Sequence, residues 1–396
     1  QGIWVGTLGE ADTGVPMEPD MRLGIASNSK AITAALILRL QDEGLISLED
    51  RVSDYLDPHP HVDGDITLRQ LMIHTSGLFD FLNDWTTATQ NEYNADLNRN
   101  WTMEEILATI GPPLFSPGER HSYSNTNYLL LGMIAEAATE MDIRDLLHQY
   151  VFDPLDVDMA YPPTDDVFAD AYADLFVGGD FDLNPGQEAT FLSFTATAGA
   201  VWATPYDMVR WYAALFGGDF LGQQGQMDLL GKDGAVAYGM GVRLQNTAGR
   251  SLYYHAGAWG YRSYNIYDPS TGISLCVITN QQGQSVGTLA LNLLETVLDE
   301  RPSLEVDLQV VEINPRGNDC TDPFAPEVLI RNTGTSELGA FTLMSRIDEG
   351  PSDTSTVNLL VPLAVGEELW LPLPTTTAPA DQQRHRLYAE VSSQPY

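Results

Sequence analysis

A serine and a lysine three positions apart are the first residues of this chain whose types and spacing suit covalent catalysis. They lie in Ser27-Asn28-Ser29-Lys30, at the start of a segment with helical periodicity that runs to about Glu43 and ends at Gly44. Residues three apart share one face of a helix, so the hydroxyl and the amine can meet. An amine whose pKa is lowered by burial can act as the base that a serine nucleophile needs. The segment predicts Ser27 as nucleophile and Lys30 as base; the alternative is a solvated lysine on an exposed helix.

A tyrosine and an asparagine form a second group. They lie in the polar turn Arg120-His121-Ser122-Tyr123-Ser124-Asn125, just before an apolar helix predicted over Tyr128–Ala138. A tyrosine with a lowered pKa can move a proton between nucleophile and leaving group. The amide of Asn125 can hold Lys30 and a substrate amide. The alternative for Tyr123 is a structural role, packed under the helix.

A histidine and a glycine form a third group, in His255-Ala256-Gly257. They lie on the first of three consecutive predicted strands: Leu252–Gly257, Arg262–Tyr267 and Ile273–Asn280. A glycine at a strand edge lets a substrate backbone approach closely, and the N–H that follows can serve an oxyanion hole. A structural histidine is the alternative here.

Helices and strands alternate in the part of the chain that must position these groups. Thr102 opens a predicted helix with a capping box, and Thr204 opens another with Pro205 at its first position. The three strands lead into an amphipathic helix over Thr288–Leu298. Antiparallel strands closed by a helix predict an α+β domain.

The C-terminal part has a different secondary-structure pattern, because from Leu304 onwards only short strands separated by turn residues are predicted. Six strands are predicted: Leu304–Ile313, Glu327–Arg331, Gly339–Ile347, Thr356–Pro362, Glu367–Leu373 and Arg386–Ser392. This pattern is typical of a β-sandwich of the fibronectin or adhesion type. We therefore expect a hydrolase-like domain over 1–300, a linker, and a sandwich over 303–396.

The order and spacing of the three groups resemble the serine β-lactamase-like, or penicillin-recognising, family. That family includes class C β-lactamases, D-alanyl-D-alanine carboxypeptidases, D-aminopeptidases and β-lactamase-like esterases. The resemblance covers roughly residues 1–300 and includes Leu71–Leu78, Gly199–Met208 and Tyr238–Val242. It implies an antiparallel sheet flanked by helices, together with an all-helical region.

The resemblance also implies a role for each group. Ser27 would be acylated, and Lys30 with Tyr123 would transfer protons in a two-step acyl transfer. Substrate would be positioned by Asn125 and by the strand from His255 through Gly257, and the N–H groups of Ser27 and Ala258 would form the oxyanion hole. It implies neither a metal nor a cofactor.

Two departures from the family pattern modify these expectations. Only 26 residues precede Ser27, so we expect the family's first helix to be missing. His255 stands where β-lactamases carry a lysine. We therefore expect carboxypeptidase-like or D-aminoacyl peptidase-like activity, with weak or no β-lactamase activity.

Other functions stay open at this stage. A β-lactamase-like carboxylesterase acting on small acyl esters is one, and a non-catalytic surface-binding protein is another. Gly283-Gln284-Ser285-Val286-Gly287 matches the nucleophile elbow of α/β-hydrolases. The polar residues Asn280-Gln281-Gln282 stand between it and the apolar part of the preceding strand, whereas an elbow follows its strand directly, so Ser285 is interpreted as a loop residue.

Charge restricts the partners. The net charge of −36, from 19 basic and 55 acidic residues, would repel phosphate and excludes a nucleic-acid partner. Only two basic residues are lysines, Lys30 and Lys232; such a surface suits high salt, which screens self-repulsion, or an ordinary acidic secreted protein. We expect an extracytoplasmic protein with a small-molecule or peptide substrate and no membrane span. The oligomeric state is left open, and Cys276 is expected to be a buried apolar residue.

Overall fold

The structure is a computed structural model of the 396-residue chain. It describes residues 2–12, 14–84, 87–96, 98–161, 190, 193–218, 220–230, 238–247, 250–281, 285–299, 308–314, 327–332, 338–347, 353–364, 366–372 and 387–392. The chain divides into two compact units, Gln1–Thr296 and Val297–Tyr396.

An antiparallel sheet of four strands is the main sheet of the first unit. Its strands, in spatial order, are β5 (Arg243–Thr247), β6 (Arg250–Trp259), β7 (Tyr261–Asp268) and β8 (Ile273–Thr279). The three strands expected from the sequence are present as β6 to β8, and β5 is an addition. The pairs β1 (Glu10–Asp12) with β2 (Val15–Pro16), and β3 (Leu23–Gly24) with β4 (Trp202–Ala203), complete the strands described in this unit.

Two helices with almost no exposed face form the centre of the first unit. In the helix Ser29–Asp42 (α1), residues Ser29–Leu38 are all buried. In the helix Asn125–Thr139 (α5), residues Asn125–Ala135 are all buried. A helix that is buried all round lies inside a domain and not on its surface. The helices are α1 (Ser29–Asp42), α2 (Leu68–Met72), α3 (Thr87–Ala95), α4 (Met103–Leu107), α5 (Asn125–Thr139), α6 (Ile143–Leu147), α7 (Asp153–Leu155), α8 (Pro205–Gly217), α9 (Gln223–Leu230) and α10 (Val286–Asp299).

Several local signals of the sequence have the expected structural outcome. Thr102 caps α4 by accepting from the Glu105 N–H, and Glu105 caps in return. Thr204 caps α8, with Pro205 as the first helical residue. Gly44 has a φ of 72° just after α1, which is the left-handed conformation that suits a glycine.

One local expectation differs from the structure, and two stretches without a stated expectation can be described. The first strand of the described residues is β1. The stretch Phe79–Asn100 contains α3. Cys276 is half-buried, because β8 lies at the end of the four-stranded sheet. The acidic stretch Asp165–Asp182 falls outside the described residues.

The second unit contains two three-stranded antiparallel sheets. One has the order β13 (Glu368–Pro372), β10 (Glu327–Asn332), β9 (Leu308–Asn314). The other has the order β12 (Asp353–Leu363), β11 (Leu338–Ile347), β14 (Leu387–Ser392). Each end of these strands lies within four residues of the end expected from the sequence.

No helix in the described part of the chain combines the length and the apolar character that crossing a membrane requires.

Salt should stabilise this fold. Much of its pairing is on the surface: in the Arg51–Asp65 pair, the side chains are 57% and 75% exposed, and such pairs contribute at most about 1 kcal/mol. The larger effect of salt is to screen the repulsion among the excess carboxylates. We expect the Tm to rise by several degrees between about 0.1 M and about 2 M KCl, as measured by circular dichroism. A Tm that falls or stays constant would contradict this expectation.

Candidate active site

Ser27 lies in a strained turn immediately before α1. A short 3-10 turn covers Ala26–Asn28, so the regular helix begins two residues later than the sequence pattern suggests. Ala26 has a φ of 47°, a left-handed conformation that costs a residue with a side chain about 1–3 kcal/mol. The surrounding contacts must therefore hold the turn in place.

Strands β6 and β7 supply those contacts. Ser263 donates to the Ile25 carbonyl at 2.6 Å, and the Asn28 amide donates to Ser263 Oγ at 2.7 Å. Tyr212 of α8 donates to Asn28 Oδ1 at 3.0 Å. A Cβ on Gly257 would lie 2.1 Å from the Ile25 oxygen, so only a glycine allows β6 to approach the turn this closely.

Lys30 is fully buried below Ser27. Its Nζ lies 2.7 Å from Asn125 Oδ1, 2.7 Å from the Ala198 carbonyl oxygen and 3.2 Å from Ser27 Oγ. A neutral amine has two N–H groups and one lone pair. The amide and carbonyl oxygens can only accept, so they take both N–H groups and leave the lone pair for the Ser27 hydroxyl.

Burial makes the neutral form of this amine accessible. Desolvation lowers the pKa of Lys30 to about 7, with a smaller contribution in the same direction from Arg243 and an opposing one from Asp80. A base with a pKa near the working pH combines a useful neutral fraction with a strong drive to take a proton. The amine can therefore deprotonate Ser27.

Tyr123 contacts the same hydroxyl from another side. Its side chain hydrogen-bonds Ser27, and Lys30 Nζ lies 5.0 Å from the centre of its ring. The expected lowering of its pKa is wrong, because burial raises the pKa of Tyr123 despite the hydrogen bond to Ser27 and the charge of Arg243. Tyr123 is therefore a neutral phenol, which can pass a proton on through its hydroxyl but does not act as a phenolate.

A histidine that the sequence analysis gave no role holds the tyrosine segment. The His74 carbonyl accepts from the Ser122 N–H at 2.8 Å, and His74 Nδ1 accepts from the Ser124 N–H at 3.2 Å. Its ring lies 4.3 Å from that of Tyr123, centre to centre. Nδ1 also lies 2.9 Å from the Asn127 amide nitrogen, so the ring proton belongs on Nε2. Burial and nearby cations hold its pKa well below the usual value.

Phe79 and Asp80, which follow His74 in the same loop, hold the segment Ser124–Thr126. The Phe79 carbonyl accepts from the hydroxyls of Ser124 and Thr126 at 3.0 Å and 2.6 Å. Asp80 accepts from the Asn125 amide nitrogen through both carboxylate oxygens, at 2.9 Å and 3.1 Å. The resemblance included the stretch up to Leu78, but no local pattern shows that this loop contacts residues some 45 positions away.

His255 is buried and neutral. Its Nδ1 lies 2.8 Å from the Ala256 carbonyl oxygen, so Nδ1 carries the proton and Nε2 accepts from the Tyr238 hydroxyl at 3.1 Å. Burial first, and then the charge of Lys30, lowers its pKa to about 3. His255 therefore brings no positive charge to the site. Strand β6 continues through Ala258 to Trp259, past the strand end expected at Gly257. An oxyanion role for the Ala258 N–H stays a prediction.

The cation of the site is Arg243, at the start of β5. Its guanidinium lies 5.5 Å from the centre of the Tyr123 ring and 5.1 Å from that of Tyr238. Across the described ranges, no carboxylate lies within ion-pair distance of Arg243. Sequence patterns predicted neither the strand nor the residue, because Arg243-Leu244-Gln245-Asn246-Thr247 lacks the apolar alternation of a strand.

Ser285 is not part of this group. It is exposed just before α10, and its hydroxyl bonds that of Thr288 at 2.8 Å. Within the residues that the structure describes, no three His, Cys, Asp or Glu side chains lie close enough together to hold a metal ion.

Comparison with known proteins identifies the family of the chain. A family model described as Beta-lactamase matches residues 3–298, so the chain belongs to the beta-lactamase family and is a serine hydrolase. Penicillin-binding protein 4* of Bacillus subtilis (strain 168) is 28% identical over 271 residues, which are 63% of this chain and 59% of that protein. The chain thus matches less than two thirds of that relative's length.

Two solved structures have a similar fold. The D-stereospecific amidohydrolase from Streptomyces sp. has a TM-score of 0.58 and 26% identity, over 68% of this chain and 86% of that one. The D-amino acid amidase from Ochrobactrum anthropi SV3, complexed with L-phenylalanine amide, has a TM-score of 0.65 and 25% identity, over 74% and 89%. The expected fold class of the first domain is confirmed.

Labelling should identify the reactive serine. A fluorophosphonate should attach to Ser27, and Ser27→Ala should abolish labelling, because only that hydroxyl contacts Lys30. The matched change Ser285→Ala should leave the labelling rate unchanged. The measurement is intact mass and peptide mapping; label on Ser285 of a folded Ser27→Ala protein would contradict the assignment.

The labelling rate should also depend on pH in one direction. Because Lys30 must be neutral to act as base, the rate should rise with pH to a plateau, with a midpoint near the pKa of about 7. Lys30→Met should lower the rate at the plateau by about 100-fold or more. A rate that is independent of pH between about 5 and 9 would exclude Lys30 as the titrating base.

Proposed function

We propose that this chain hydrolyses D-aminoacyl peptides that carry a free terminal carboxylate, through an acyl-enzyme on Ser27, as D-alanyl-D-alanine carboxypeptidases do. The observation that carries the proposal is the contact of two proton-transfer groups with one hydroxyl: Lys30 Nζ at 3.2 Å and the hydrogen bond from Tyr123. A serine positioned in this way can attack a carbonyl carbon and can be regenerated afterwards.

Each step follows from the donors and acceptors present. Ser27 Oγ attacks the substrate carbonyl while Lys30 takes its proton, and the tetrahedral oxyanion forms. The proton then passes through the Tyr123 hydroxyl to the leaving amine, the C–N bond breaks, and the ester on Ser27 remains. Water attacks that ester after losing a proton to Lys30, which restores the serine hydroxyl and releases the acid.

Arg243 supports a substrate with a terminal carboxylate. Its guanidinium lies 5.5 Å from the centre of the ring of Tyr123, one of the residues that contact Ser27, and among the described residues no carboxylate pairs with it. Guanidinium and carboxylate groups form strong two-pronged hydrogen bonds. A carboxylate on the leaving side of a peptide is the partner that this cation suits.

Neutral His255 supports weak or no β-lactamase activity. The His255 ring, with its pKa of about 3, is uncharged at neutral pH and stands at the strand position where β-lactamases carry a lysine. Strand β6 therefore supplies no cation for the carboxylate of a β-lactam, and only a cation on another strand, Arg243 of β5, could bind it. Acylation by a penicillin remains possible as a slow side reaction of the same hydroxyl.

A second candidate is a D-amino acid amidase. It is supported by the two similar structures, a D-stereospecific amidohydrolase at 26% identity and a D-amino acid amidase at 25% identity. Such an enzyme would release ammonia and would not need a cation for a leaving-group carboxylate. Small esters belong to the same test, because an esterase would accept them in preference to either amide.

Arg243→Gln separates these candidates. For a D-alanyl-D-alanine peptide with a free carboxylate, kcat/KM should fall about tenfold to a hundredfold, because a hydrogen bond to a charged group contributes about 1.5–3 kcal/mol. For the same peptide ending in a carboxamide, kcat/KM should change little. The pair of substrates is the internal control, since any effect of Arg243 on Lys30 acts on both.

Arg51→Gln, at an exposed arginine that pairs with Asp65, provides the matched control variant and should alter the turnover of neither substrate. Equal losses on the acid and the amide would remove the carboxylate assignment. Turnover of D-phenylalanine amide with none of the acid-terminated peptide would favour the amidase.

A further inference from the structure

The buried carboxylate of Asp80 has no part in the steps described above. Its residue is 4% exposed, and it accepts hydrogen bonds from the backbone N–H groups of Leu82 at 3.1 Å and Asn83 at 3.4 Å and from the Asn83 amide at 2.7 Å. The remaining acceptor capacity faces the amide nitrogen of Asn125. Asp80 is thus bound firmly by its own loop and reaches a second element through one amide.

We propose that Asp80 is a positioning residue: its carboxylate fixes the orientation of the Asn125 side chain, and through it the direction of the Lys30 lone pair. This inference rests on the proposed function of Ser27 and Lys30. With Asp80 included, a chain of hydrogen bonds runs from Asp80 through Asn125 to Lys30 and Ser27.

The physical reason is the asymmetry of an amide. Ionised Asp80 can only accept, so it must face the NH₂ group of Asn125, and this turns Oδ1 towards Lys30. In the opposite orientation the NH₂ group would face the amine, and the carbonyl oxygen would face the carboxylate. Lys30 would then lose one of its two acceptors, and its lone pair would no longer be directed to Ser27 alone.

Asp80 also acts on the charge of Lys30. The groups that face the amine are Asp80, Arg243, His74, His255, Tyr123 and Tyr128. Both histidines have strongly lowered pKa values and the tyrosines have raised ones, so these four are neutral near pH 7. Asp80 is therefore the anion that opposes desolvation and Arg243, and its removal should lower the pKa of Lys30.

The test is Asp80→Asn, a change of similar volume that removes the charge and the strict acceptor character. The rate of fluorophosphonate labelling at pH 8 should fall about 100-fold, as expected when a reacting group loses its alignment. The midpoint of the pH profile should move to lower pH, a change that damage to packing alone would not produce. Asp84→Asn makes the same change at an exposed carboxylate in the same loop and should have neither effect.

A double variant tests whether Asp80 acts through Asn125. In an Asn125→Ala background, Asp80→Asn should cause no further loss of labelling rate, because the link is already broken. Additive losses would show that Asp80 acts by another route and would overturn the proposal.

Because the chain has only two lysines, the titration of Lys30 can be measured directly, without an activity assay. In a Lys232→Arg protein labelled with ¹³C at lysine Cε, Lys30 is the single lysine, and its titration can be followed by NMR. Asp80→Asn should lower the midpoint of that titration, with the folded state checked by circular dichroism. Asp80→Ser, a smaller neutral acceptor, takes its place should Asp80→Asn not fold.

The two readouts separate the proposals. A Lys30 titration that is the same in wild type and in the folded Asp80 variant overturns the role of Asp80. Absence of label on Ser27 in a folded wild-type protein overturns the proposed function, while a shifted Lys30 midpoint would still support the coupling to Asp80.

Discussion

The burial of one amine is the constraint on which the rest of the first unit depends. Lys30 lies in the part of α1 that is buried all round, Ser29–Leu38, and transfer of a charged ammonium to such a place costs several kcal/mol. The structure meets this cost in two ways: burial lowers the pKa to about 7, and Asn125 and Ala198 accept both hydrogens of the neutral form. The remaining lone pair has one partner, Ser27.

Several other elements of the unit hold Ser27 and the acceptor Asn125 in place. The turn that carries Ser27 is strained at Ala26 and is held by Ser263 and by the close approach of Gly257. The loop from His74 to Asp80 holds the segment that contains Tyr123 and Asn125 through its backbone and side chains. Because these contacts join elements remote in sequence, the site forms only when the whole unit folds.

Charge has opposite roles at the surface and at the site. The chain carries a net charge of −36 and two lysines, one of which is Lys30, so nearly all of its basic residues are arginines. At the site, the Arg243 guanidinium stands among neutral histidines and tyrosines of the described residues. Under the proposed function, an anionic group of the substrate would pair with this cation within an otherwise acidic protein.

The sequence by itself determined the elements with strong local signals: the capped helices at Thr102 and Thr204, the strands β6 to β8, and the identity of Ser27, Lys30, Tyr123 and Asn125 as candidates. These follow from side-chain periodicity, capping and spacing, which depend on near neighbours. Only the tertiary structure decided the properties that arise from distant groups. Desolvation made Tyr123 a phenol of raised pKa and made His255 neutral, and the place of β8 at the end of the sheet left Cys276 only half-buried. The fold also brought Arg243, His74 and Asp80 to the site, since no local pattern records which residues will share a low-dielectric interior once the chain has folded.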